Sequence, residues 1–172
     1  RVAVRHVSCF VYFHKKGIVQ EMIHNLKYRG HEEVGTLLGN WYAEDLKKVG
    51  ELSTVDCIIP VPLHKRKLLE RGYNQVTEFA LALSQQLSLP YNDTLLIRKV
   101  YSKTQSKKNL LGRTEGIQST FDVNYSEQDH NKHFLLIDDV ITTGATLEAC
   151  SKALLKIPGA SISIVCMAMT DS

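Results

Sequence analysis

The sequence has no apolar run approaching the roughly 18–20 residues a helix needs to cross a bilayer, which excludes a hydrophobic helical span. It has no Cys-x-x-Cys pair, and its four cysteines (Cys9, Cys57, Cys150 and Cys166) are scattered. None of its seven histidines forms a pair with zinc-ligand spacing, so no zinc is expected in this chain. Internal repeats, low-complexity tracts and dividing linkers are also missing, which leaves a single domain over residues 1–172. The start, Arg1-Val2-Ala3-Val4-Arg5-His6, has neither an initiating Met nor the layout of a signal peptide. It reads as a beginning partway into a longer protein.

What is present is the composition of a globular protein, 44% hydrophobic and 23% charged, long enough to bury a core. Cys57 and Cys166 fall in strand-like apolar runs and Cys150 in a helical one. All three read as buried thiols, which favours a reducing, cytoplasmic setting. The net charge of +3 is too small to diagnose a nucleic-acid partner. Its distribution is more informative. His64-Lys65-Arg66-Lys67 and Arg71 form one basic segment, and Arg98, Lys99, Lys103, Lys107, Lys108 and Arg113 form another with no acid between its ends. Two basic loops flanking strands point to an anionic ligand, where scattered surface lysines would be the blander reading.

Hydrophobic periodicity alternates between strand and helix. Val7 to Phe13 reads as a strand. Ile18, Met22, Ile23 and Leu26 read as a helix closed by Gly30, and residues 32–48 as a second helix with Leu37, Leu38, Trp41, Tyr42 and Leu46 on its apolar side. Val55-Asp56-Cys57-Ile58-Ile59 is a short buried strand stopped by Pro60-Val61-Pro62. Val76, Phe79, Ala80, Leu83 and Leu87 mark a third helix, Leu95-Leu96-Ile97 opens a strand, and residues 101–120 form a long polar, basic loop. Phe134 to Ile137 is a strand, residues 145–156 a helix ended by Pro158-Gly159, and Ile162 to Met169 the last strand. The alternation predicts an α/β fold with a mostly parallel sheet flanked by helices.

The chemistry concentrates in Leu135-Leu136-Ile137-Asp138-Asp139-Val140-Ile141-Thr142-Thr143-Gly144-Ala145-Thr146. Two carboxylates at the C-terminal end of a buried strand stand where open α/β sheets bind ligands. Neighbouring carboxylates repel, and are tolerated best where ligand hydroxyls or a metal share them. Thr142, Thr143, Gly144, Ala145 and Thr146 then lead into a helix whose first amides and dipole can cradle a phosphate. Carboxylates for sugar hydroxyls beside amides for a 5′-phosphate describe a ribose-5-phosphate site. An ordinary capped turn needs one such residue, and this run supplies five around a glycine.

This run resembles the phosphoribosyl-pyrophosphate signature of type I phosphoribosyltransferases. Leu26-Lys27-Tyr28-Arg29-Gly30, Pro60-Val61-Pro62-Leu63-His64 and Arg71-Gly72-Tyr73-Asn74-Gln75 narrow the resemblance to the ComF-like competence proteins, with Gln105, Arg113 and Phe121 fitting their later loop. The chain departs from that pattern in lacking the two N-terminal Cys-x-x-Cys pairs of a zinc finger, and in carrying Gly116 where Asn is common.

The resemblance implies a type I phosphoribosyltransferase-like core over residues 51–172, with residues 1–50 as a small N-terminal hood. It implies pyrophosphate binding by Leu63, His64, Lys65 and Arg66, often through a strained or cis peptide, and ribose binding by Asp138 and Asp139. Mg²⁺ would arrive with phosphoribosyl pyrophosphate and be held indirectly by those two carboxylates. Residues 101–120 would close over the site, with Lys103, Gln105 and Arg113 reaching in and Lys103 and Arg113 as the candidate catalytic groups. Arg71, Asn74 and Gln75 are expected to pin the loop, and Lys27 and Arg29 to complement a helix dipole.

Three functions are compatible with this. The leading one is a ligand-binding protein of DNA uptake, partnered by single-stranded DNA and competence proteins, with Tyr73 and Tyr101 stacking bases. Another is an active transferase moving ribose-5-phosphate to a nucleobase or amine. The third is a regulator that senses the ligand.

Overall fold

The computed structural model describes residues 2–13, 17–99 and 120–170. In chain order these form β1 (His6–Phe13), α1 (Ile18–Tyr28), α2 (Glu33–Leu46), β2 (Cys57–Pro60), α3 (Lys65–Arg71) and α4 (Thr77–Leu87). There follow β3 (Leu96–Arg98), β4 (Phe121–Val123), β5 (His133–Ile141), α5 (Ala145–Leu154) and β6 (Ser161–Thr170). Among these residues no helix is long and apolar enough to cross a membrane.

Four strands make a parallel sheet in the order β1-β6-β5-β2, and β3 and β4 pair separately as an antiparallel ribbon. A parallel sheet covered on both faces needs apolar strands, and β5 meets that demand in residues 134–137, all apolar and fully buried. Strand alternation divides its side chains between two cores. Phe134 and Leu136 pack with Leu147, Cys150 and Leu154 of α5 and with Leu96 and Phe121 of the ribbon. Leu135 and Ile137 pack on the other face with Leu26, Leu38, Tyr42, Phe79 and Leu83 from α1, α2 and α4. Each such side chain contributes about 1.5–3 kcal/mol by leaving water.

Two details follow directly from the sequence. Pro60 is tolerated because β2 is an edge strand. Ile58 bonds outward to Pro90 and Asn92, and Pro60, two residues on, faces the same outer side, where its missing N–H costs no ladder bond. Gly39 lets α2 meet α4 closely, since a Cβ there would stand 2.7 Å from Ala82 Cβ and 2.8 Å from the Phe79 carbonyl.

Several expectations change. Leu37 and Trp41 do not join the core face of α2: Trp41 is 57% exposed, because Leu38, Tyr42 and Leu46 already fill the stripe facing the sheet. Lys65, Arg66 and Lys67 are not loop residues but open α3, which buries none of its side chains. Of the segment expected as a hood, residues 6–13 pair in register with β6 as an edge strand of the main sheet. Cys57, Cys150 and Cys166 are buried free thiols, as their apolar runs suggest.

Candidate ligand site

The strand carrying the two carboxylates runs further than its apolar core, so Asp138 and Asp139 lie inside β5 and both are buried. Asp138 Oδ1 accepts the Asp139 amide at 2.8 Å, and Asp139 Oδ1 accepts the Val140 amide at 2.6 Å. Alternation sends Asp138 toward the α5 side, in register with Cys166, and Asp139 toward the side of α1 and α4. Burial, followed by the Asp139 charge, raises the Asp138 carboxyl well above the ordinary carboxylate range. Burial likewise raises the neighbouring Cys150 and Cys166 thiols, which keeps them protonated and unreactive.

Beyond β5, residues 142–147 turn into α5 around a small cavity of about 40 Å³, walled also by Asp138, Val140 and Ile141. Gly144 sits at the helix N-cap with φ +74°, a left-handed conformation that glycine adopts without strain. Gly144 has no side chain with which to cap this helix, so the first-turn amides beyond Ala145 keep their donor capacity toward the cavity. Thr142, Thr143 and Thr146 are exposed around the same turn, and Thr143 Oγ1 accepts the Ala145 amide at 3.4 Å. The expected cradle residues 142–146 are thus brought together with Asp138.

Asp139 is placed differently. Its Oδ2 lies 2.6 Å from Lys27 Nζ and accepts Gln75 Nε2 at 3.1 Å. Gln75 Oε1 in turn accepts Arg71 at 2.7 Å, and the Arg71 guanidinium lies 4.9 Å over the Tyr28 ring. Tyr73 closes the group by donating its hydroxyl to the Leu26 carbonyl. These contacts frame a cavity of about 260 Å³ lined by Lys27, Tyr28, Gly30, Lys67, Glu70, Arg71 and Tyr73. Its single carboxylate, Glu70, is paired with Arg66 at 2.9 Å, so the lining is predominantly cationic. Asp138 walls the smaller cavity, while Asp139 is tied to the larger one only through Lys27 and, by way of Gln75, Arg71.

The residues expected for pyrophosphate are arranged otherwise than a basic loop. Leu63 and His64 follow the short strand end. His64 caps α3 by accepting the Arg66 amide at 3.1 Å, while Lys65 and Arg66 stand on the exposed first turn. The peptides of this connection are all trans. Asn74 pins it, as expected, by donating to the Val61 carbonyl at 3.0 Å. Lys103, Gln105 and Arg113, with Tyr101, Lys107 and Lys108, lie outside the described residues. No group of three or more His, Cys, Asp or Glu able to hold a metal occurs among the described residues. Sequence reasoning missed Lys27 and Gln75 as members of the site. Both lie in segments noted for their resemblance, yet nothing in their spacing shows that α1 and the start of α4 converge on β5.

A family model described as "Phosphoribosyl transferase domain" matches residues 77–171, more than half of the chain. Competence protein F of Haemophilus influenzae is 33% identical over 114 residues, covering 66% of this chain and 50% of that protein. DNA utilization protein YhgH of Escherichia coli K12 is 26% identical over 152 residues, covering 87% and 66%. Competence protein ComFC of Bacillus subtilis is 31% identical over 149 residues, covering 85% and 58%. The chain therefore spans about half to two thirds of the length of these relatives. Among solved structures, glutamine phosphoribosylpyrophosphate amidotransferase from B. subtilis, complexed with ADP and GMP, superposes with a TM-score of 0.52. It does so at 15% identity over 82% of this chain and 30% of that one, a likeness of fold. The chain belongs to the phosphoribosyl transferase domain family, as a ComF-like member of the type I phosphoribosyltransferase superfamily.

Proposed function

We propose that this protein binds phosphoribosyl pyrophosphate, or a ribose-5-phosphate ligand of that type, at the C-terminal end of β5, and that it serves in the handling of DNA during uptake. The observation that carries the ligand reading is the cavity walled by Asp138 and residues 140–147 at the N-terminus of α5, where the N-cap is a glycine. A 5′-phosphate there accepts first-turn amides and threonine hydroxyls, and a ribose hydroxyl reaches the Asp138 carboxyl. The diphosphate then lies over the basic cavity, where Lys27, Lys67 and Arg71 supply cations. Lys65 and Arg66 lie outside it on the exposed first turn of α3, where Lys65, with Arg66 paired to Glu70, faces a second polyanion.

Mg²⁺ fits this arrangement as an ion carried by the ligand. It prefers oxygen donors and retains several waters, so Asp138, the carboxylate that walls the loop cavity, would hold it through water. The DNA role rests on the names of the relatives, competence protein F, ComFC and DNA utilization protein, together with the exposed basic face of α3.

Thermal-shift titration tests the ligand half. Ribose 5-phosphate and magnesium phosphoribosyl pyrophosphate each raise the Tm of the wild type, through preferential binding to the folded state. Neither raises that of Gly144→Val, whose side chain is strained at positive φ. Absence of any shift in the wild type contradicts the reading. Fluorescence anisotropy tests the DNA half. Single-stranded DNA binds in a salt-sensitive way, and binding weakens when Lys65, Arg66, Lys107 and Lys108 are neutralised together. Binding indifferent to those changes removes this role.

A further inference from the structure

We propose that the two adjacent carboxylates have different jobs: Asp138 meets the ligand, whereas Asp139 is a positioning residue that holds Lys27 at the basic cavity, where Lys27 receives the diphosphate. This rests on the phosphoribosyl-pyrophosphate reading above and deepens it.

Three observations support the division. First, Asp138 walls the phosphate-loop cavity, and Asp139 lines neither that cavity nor the basic one. Second, the acceptor capacity of Asp139 is largely taken. A carboxylate offers about four lone-pair sites, and those of Asp139 already receive Val140 N, Gln75 Nε2 and Lys27 Nζ. Little is left for a pair of sugar hydroxyls. Asp138 makes no ion pair among the described residues and walls the loop-side cavity.

Third, Lys27 both pairs with Asp139 and lines the basic cavity. An ammonium group has three N–H donors, so Lys27 can keep Asp139 and still give two to phosphate oxygens. The same carboxylate organises a second cation, because Gln75 bridges Asp139 to Arg71, which also lines the cavity. Asp139 thus acts on the diphosphate end of the ligand through side chains delivered by α1 and α3.

Calorimetric titration of magnesium phosphoribosyl pyrophosphate and of magnesium pyrophosphate separates the two roles. Lys27→Met and Asp139→Asn each weaken both ligands by about tenfold or more, the worth of a charge-assisted hydrogen bond. Lys27→Arg recovers most of the loss, which separates a lost cation from a misfolded chain. Combining Lys27→Met with Asp139→Asn adds nothing to either change alone, because the two act as one unit. Asp138→Asn weakens phosphoribosyl pyrophosphate but leaves pyrophosphate binding intact. If Asp139→Asn instead spares pyrophosphate as Asp138→Asn does, Asp139 belongs to the sugar and the proposal is overturned. Unchanged binding of both ligands by Lys27→Met overturns it as well. A wild type that binds neither ligand contradicts the ligand reading itself, and this assignment with it.

Discussion

Asn74 Nδ2 donates to the Val61 carbonyl at 3.0 Å, tying the chain after β2 to the approach of α4. Its Oδ1 also accepts the Val76 amide at 3.4 Å, so one side chain orders both ends of the segment that contains α3. Asn74→Ala therefore lowers stability by about 1 kcal/mol, as expected for a net hydrogen bond lost at a half-buried site. Asn74→Asp does no better, since a carboxylate cannot donate to Val61. Urea unfolding of the three proteins checks this, and equal midpoints would show that the loop is held by other contacts.

The close approach of α2 to α4 makes a sharper prediction. Gly39→Ala places a methyl group against Ala82 Cβ and the Phe79 carbonyl, neither of which can move without shifting a helix. Overpacking of this kind costs about 1–3 kcal/mol, enough to be read as a lower denaturation midpoint. Gly50→Ala, where an added Cβ meets nothing within 4 Å, leaves the midpoint nearly unchanged and serves as the control.

Asp138 sets one side of the stability profile. Its carboxyl is raised in the folded protein, by burial first and the Asp139 charge second. Its favourable contribution is therefore complete below the ordinary carboxylate range and is lost as pH rises through the raised value. Asp138→Asn removes this loss. The variant melts higher than the wild type in mildly alkaline buffer, and the gap narrows on acidification. A gap independent of pH would mean that Asp138 is not the group responsible.

His133 acts in the opposite direction. It is buried between Ser163, at 2.8 Å from Nε2, and Thr54, at 2.9 Å from Nδ1, and burial, followed by Arg5, lowers its pKa from 6.5. The stability it contributes is present above the unfolded pKa and is lost as pH falls through the depressed folded value. His133→Gln, which keeps a donor and an acceptor without titrating, flattens the acid limb of the Tm profile below about pH 6.5. An acid limb as steep as that of the wild type would assign the effect to other groups.

The fold was legible because its signals are local. The buried run of β5 and the Pro60 stop depend on a few neighbouring residues, and the Thr-rich turn before α5 reads as a phosphate cradle for the same reason. Trp41 was misread since periodicity identifies an apolar stripe without its width, and Leu38, Tyr42 and Leu46 suffice for α2. The basic run at residues 64–67 was misread because its charges hide a short capped helix. Lys27 and Gln75 illustrate a further limit. Their roles exist only through contacts between α1, the start of α4 and β5, and such long-range convergence leaves no spacing in the sequence.

The central claim is that the end of β5 is a working phosphoribosyl-pyrophosphate site. The most direct test is calorimetric titration of that ligand, with Mg²⁺, into the wild type and into the double variant Asp138→Ala/Asp139→Ala. Saturable binding by the wild type and none by the double variant is the predicted result. A wild type that gives no heat of binding, or a double variant that binds as tightly as the wild type, would contradict the account.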